Sequence, residues 1–163
     1  MKFSRLLVVA ATVAAVAFLG GQVVSAGSNS ANMSVQATVS ANCTITASPL
    51  TWTAFDTVVG TGADSTATVS VACTKGAVAN VAMGPGQNPG TTRNMKSSSS
   101  DLLAYEIYTS DTYGTVWNAA NVVVLGAAPS KDPRALTVYG RIKATNDVPA
   151  GSYTDLVVAT VNF

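Results

Sequence analysis

The sequence predicts an all-β fold, an antiparallel sandwich of immunoglobulin-like type, and three observations carry that expectation. Apolar residues recur at every second position in one segment after another. Turn residues punctuate the chain at short intervals, leaving room for seven or eight short strands, and no segment of the mature chain has a convincing helical period. Ser, Thr, Ala, Val and Gly dominate while charged residues make up only 10%, a composition suited to strands and turns.

The chain begins with an export signal. Lys2 and Arg5 precede an apolar run from Leu6 to Leu19, and Val24-Ser25-Ala26 has the small-x-small pattern of a signal peptidase site. The run is short of the roughly 20 residues that a spanning helix needs, so cleavage after Ala26 is expected, with no membrane insertion afterwards. Removing residues 1–26 leaves 137 residues, enough for one domain with a real core. The mature charge is about −1, which gives no reason to expect nucleic acid or an anionic membrane as partner.

A small polar leader, Gly27 to Ser30, is followed by Ala31 to Cys43, in which every odd position is apolar: Met33, Val35, Ala37 and Val39 among them. This is the pattern of a strand with one buried face. Such a strand either folds into its own domain or projects as an arm into another molecule. The alternation runs on through Ile45 and Ala47 to Pro49, and Leu50, Trp52 and Phe55 precede a Gly60-Thr61-Gly62 break. Ser65 to Cys73 alternates again. Cys43 and Cys73 are the chain's two cysteines, and in an exported protein a single disulfide between them is the economical reading.

Lys75-Gly76 turns into a short strand, Val78 to Met83, which Gly84-Pro85-Gly86-Gln87-Asn88-Pro89-Gly90 ends. Ser97 to Ser100 reads as a surface loop, Leu102 to Thr109 as a central strand, and Asp111 to Gly114 as a turn. Val122 to Leu125 and Leu136 to Ala144 are further strands, and the chain closes on Leu156 to Phe163. There Val157, Ala159, Val161 and Phe163 share one face.

The chemistry is restricted. The chain has no histidine, which removes His-based triads and histidine metal sites, and bridged cysteines supply no nucleophile. Eight carboxylates remain, mostly at turns, so neither an enzyme nor a cofactor or metal site is expected. Tyr105, Tyr108, Tyr139 and Tyr153 suggest a sugar-stacking platform, but at alternating positions sheet packing is the stronger reading. Trp117 and Tyr113, near a turn, are the better candidates for an exposed contact.

Several features together resemble the spore coat protein U domain family, which includes archaic, Csu-type chaperone-usher pilus subunits. They are the alternating start into Cys43, Cys73-Thr74, Arg93 with Met95 after a glycine-rich loop, Leu103-Ala104-Tyr105 and Ile107-Tyr108. Tyr139-Gly140-Arg141, Gly151-x-Tyr153-x-Asp155 and the terminal L-V-V-A-T-V-N-F complete the set. Leu50 to Phe55 departs from it, lacking an expected phenylalanine-glycine pair.

The resemblance implies a sandwich that lacks its last strand and is completed by a donated N-terminal strand. Residues 27–41 would be leader and donor, with Met33, Val35, Ala37 and Val39 filling pockets, and residues 42–163 the immunoglobulin-like domain. Val157, Ala159, Val161 and Phe163 would flank the acceptor groove. Arg141 and Asp155 both recur in the family pattern, and the resemblance implies an ion pair between the last two long strands. The implied partners are identical or homologous pilus subunits in a head-to-tail polymer, a periplasmic chaperone and an outer-membrane usher. The implied role is a major rod subunit of a cell-surface pilus that supports adhesion and biofilm formation. The alternative is a self-complemented exported coat protein or sugar- or protein-binding module.

Overall fold

Alternating apolar positions give each strand one buried face, and two such faces closed on each other build the body. The computed structural model describes residues 25–163, so the expected signal, residues 1–26, lies almost wholly outside the described residues. Among the described residues eight strands follow in order. They are β1 (Cys43–Ala47), β2 (Ala63–Cys73), β3 (Ala79–Met83) and β4 (Arg93–Lys96), then β5 (Leu102–Tyr108), β6 (Val123–Leu125), β7 (Arg134–Ile142) and β8 (Ala159–Asn162). They form a five-stranded sheet, β1-β2-β7-β5-β4, and a three-stranded sheet, β6-β3-β8, with every pairing antiparallel.

The core lies between the sheets. Val69 and Val71 of β2, Val138 and Ile142 of β7, and Tyr105 and Ile107 of β5 are buried with Val81 and Met83 of β3. Trp117 is fully buried, which overturns its expected role as an exposed contact. Its backbone N–H donates to Ile107 O at 2.8 Å and its indole Nε1–H to Val81 O at 2.8 Å, so one residue links both sheets. A buried indole needs such an acceptor, and the other sheet supplies it.

A buried ion pair closes one end of the sandwich. Arg93 Nη1 lies 2.9 Å from Glu106 Oε2, while its Nε donates to Gly84 O at 2.8 Å and its Nη2 to Trp117 O at 2.7 Å. The guanidinium therefore ties β4 and β5 to the end of β3. Spreading its donors over a carboxylate and three carbonyls, the third being Met83 O at 3.4 Å from Nη2, satisfies a charge that would otherwise be costly to bury.

Cys43 and Cys73 are bonded, as expected. They stand directly opposite on β1 and β2 with Cα atoms 4.1 Å apart, closer than the roughly 6 Å typical of disulfides at large because they form a non-hydrogen-bonded pair. The ladder continues one step past the bridge, with Thr74 N donating to Asn42 O at 2.9 Å.

One further expectation is corrected. Arg141 pairs with Asp64, not Asp155, through Nε–Oδ1 at 2.6 Å and Nη2–Oδ2 at 2.7 Å, because β2 and not the last segment lies beside it in register. The regular pattern from Ala31 yields no strand until Cys43. Residues 25–37, taken by themselves, carry no secondary structure and are exposed.

Candidate functional site

The sheets leave one side of the sandwich unclosed. Among the described residues β1 pairs only with β2 and β8 only with β3, so each ends its sheet with a free edge. The two edges run close to each other yet share no ladder. A cleft of about 430 Å³ opens between the end of β1 and the start of β8. Ala47, Pro49 and Leu50 from the β1 side and Leu156, Val157 and Ala159 from the β8 side line it, together with Val69, Met83 and Ile107 of the core.

Small residues and aromatic packing shape the cleft. A Cβ on Gly140 would fall 2.6 Å from Leu50 Cδ2 and 2.8 Å from Trp52 Cζ2, so the missing side chain is what lets these two fold over β7. Trp52 is fixed by its Nε1–H, which donates to Ala63 O at 3.0 Å, and by an edge contact with Tyr105 at 5.9 Å between ring centres. A second cavity of about 830 Å³ adjoins the first and shares Leu50, Trp52, Met95 and Asp155 with it. Its walls are the 50–58 and 148–155 segments.

The last segment of the chain crosses between the sheets beside the cleft. Lys96 and Thr154 exchange backbone hydrogen bonds of 2.8 and 3.1 Å, which ties the segment to the edge of the five-stranded sheet. From Ala159 it belongs to the three-stranded sheet, and Gly84 N donating to Val158 O at 2.8 Å extends that pairing. Asp155 stands at the crossing. Its carboxylate accepts from Tyr105 Oη at 2.6 Å and from Gln87 N at 2.8 Å. Burial, reinforced by the hydrogen bond to Asp155, holds the Tyr105 hydroxyl well above the ordinary tyrosine range.

The residues singled out in the sequence fall as follows. Val157, Ala159 and Val161 are half-buried and pack on the core, with β8 shorter than the Leu156 to Phe163 strand that the pattern predicts. Phe163 departs from that face: it lies beyond β8 and is 58% exposed. Met33 and Val35 are exposed in the segment described by itself, as is Ala37, and Val39 of the body is 80% exposed. Thr74 secures the chain where it enters β1: Asn42 N donates to Thr74 Oγ1 at 3.1 Å, and that hydroxyl donates to Ser40 O at 3.4 Å.

Sequence reasoning missed the Tyr105–Asp155 bond and the buried Arg93–Glu106 pair, because neither spacing nor periodicity reports on side-chain contacts between separate strands. Among the described residues no group of three or more His, Cys, Asp or Glu side chains is placed to hold a metal. No helix among them is long and apolar enough to cross a membrane.

Comparison with known proteins adds three findings. The family profile described as Spore Coat Protein U domain matches residues 29–160. Protein U of Myxococcus xanthus is 30% identical over 172 aligned positions, which cover 95% of this chain and 96% of that protein. The fold is similar to a chain in the crystal structure of the CsuC-CsuE chaperone-tip adhesion subunit pre-assembly complex from archaic chaperone-usher Csu pili of Acinetobacter baumannii. That likeness has a TM-score of 0.59 at 22% identity and covers 77% of this chain and 41% of the other, so this chain spans less than half of that one.

Proposed function

The chain belongs to the Spore Coat Protein U domain family, and on that premise we propose that it is a chaperone-usher pilus subunit that polymerises by strand donation. In this reading residues 31–39 of one copy enter the groove between β1 and β8 of the next, as Met33, Val35, Ala37 and Val39 fill it. Val157, Ala159 and Val161 form the receiving wall. The chain acts as the major rod subunit of a surface fimbrium in adhesion and biofilm formation, not as an enzyme.

The observation that carries the proposal is the pair of free edges flanking an apolar cleft. An edge strand offers unpaired backbone groups, and a second chain that pairs with it buries its alternate side chains in the same step. Contact between an arm of one copy and a groove of the next is head-to-tail and does not close, so it propagates as a fibre. A periplasmic chaperone would cover the groove before assembly, and an outer-membrane usher would exchange the two strands.

The test compares residues 42–163 alone with the same body plus a peptide of residues 30–41. The proposal expects the body alone to be unstable or aggregated and the peptide to raise its melting temperature. A body that is stable and monomeric without peptide would contradict it.

A further inference from the structure

The outer face of the five-stranded sheet carries an aromatic cluster that strand donation does not use. Tyr108 of β5 and Tyr139 of β7 stand directly opposite each other, and Thr66 of β2 is the next residue across. Tyr113, in the turn after β5, sets its ring against Tyr108 at 5.3 Å between centres and nearly at right angles. The Arg141 guanidinium lies 3.3 Å from the Tyr113 ring centre and grips Asp64 with two hydrogen bonds. All of these side chains keep part of their surface open to solvent.

Two features set the cluster apart from ordinary sheet packing. Tyr113 holds φ at +52°, a conformation that bulky residues rarely adopt, although Gly114 follows immediately and would take it without strain. A ring held there at conformational cost is a sign of selected placement. The charge of Arg141 is also cancelled locally by Asp64, and threonine hydroxyls of Thr66, Thr68 and Thr137 adjoin the tyrosines on this face. Aromatic faces beside hydroxyls and a neutralised ion pair match a neutral, hydroxyl-bearing ring and offer little to an anion.

We propose that Tyr108, Tyr113 and Tyr139, with the Arg141–Asp64 pair, form a binding site for neutral polysaccharide. Pyranose rings stack on Tyr108, Tyr139 and the face of Tyr113 that Arg141 leaves uncovered, while Asp64 and Arg141 bond their hydroxyls. The site lies on the face opposite the core and is independent of the groove between β1 and β8.

The test is sedimentation of the mature chain with microcrystalline cellulose and with chitin, dextran sulfate serving as an anionic competitor. Saturable binding to at least one polymer is expected, resistant to high salt and to the competitor. Tyr113→Gly, which relieves the backbone strain, and Tyr139→Thr should each weaken it about tenfold, whereas Tyr139→Phe should retain it. Hydrogen exchange of the unaltered chain with cellohexaose or chitohexaose should show added protection near Tyr108 to Tyr113 and Tyr139 to Arg141, a readout that does not depend on variants folding. No binding to either polymer, binding unchanged by both ring removals, or loss of binding to salt or dextran sulfate would overturn the proposal.

Discussion

Tyr105 donates its hydroxyl to Asp155 at 2.6 Å, joining β5, an inner strand of the five-stranded sheet, to the segment that crosses to the other sheet. The bond fixes the wall of the cleft at the point where the chain changes sheets. A hydrogen bond to a charged group contributes about 1.5–3 kcal/mol, and Tyr105→Phe is expected to lose that amount in urea unfolding at pH 7.

The same bond gives an alkaline signature. An unfolded tyrosine ionises near pH 10, whereas folded Tyr105 stays protonated to higher pH because of burial and its bond to Asp155. A group whose folded pKa is raised contributes stability that is intact below the unfolded pKa and is lost as pH rises above it. Stability should therefore fall above about pH 10, by up to roughly 1.4 kcal/mol per pH unit from this residue. Tyr105→Phe should show a shallower decline, and equal slopes in the two proteins would contradict the assignment.

Gly86 has φ +82°, and a Cβ there would fall inside the Asp155 carboxylate. Gly86→Ala is expected to cost at least about 1–2 kcal/mol in urea unfolding. Gly114→Ala, where the nearest atom is Thr112 Oγ1 at 3.8 Å, should stay within about 0.5 kcal/mol of the unaltered chain.

The two ion pairs should behave differently. Removing the carboxylate of the buried pair, Glu106→Ala, leaves the Arg93 guanidinium without its counter-charge and should cost about 3–5 kcal/mol. Asp64→Asn breaks a pair whose side chains are 38% and 45% exposed, and should cost no more than about 1 kcal/mol. Urea midpoints of the two variants check both.

Most of the sheet architecture is legible in the sequence, because alternation reports which face of a strand is buried. It locates β2, β5 and β7 closely and brings Cys43 and Cys73 onto inward faces. It does not reveal β4, whose Arg93-Asn94-Met95-Lys96 has one apolar side chain, since its inward Arg93 is buried by pairing with Glu106. Trp117 escapes it for a similar reason: its turn-rich surroundings suggest exposure, and only the carbonyl of Val81 in the other sheet explains its burial. The alternation from Ala31 to Val39 equals that of the body strands yet forms no strand here. Periodicity states that a face is suited to burial and does not name the partner that buries it.

The central claim is that this unpaired alternation enters the groove of another copy, and Val35→Asp tests it most directly. A carboxylate at that position would have to enter a dry groove during assembly, at a cost that strand pairing does not offset. Electron microscopy of cells carrying the variant should show no fibres, with the subunit still recovered in its exported form. Fibres of normal length from Val35→Asp would contradict the account.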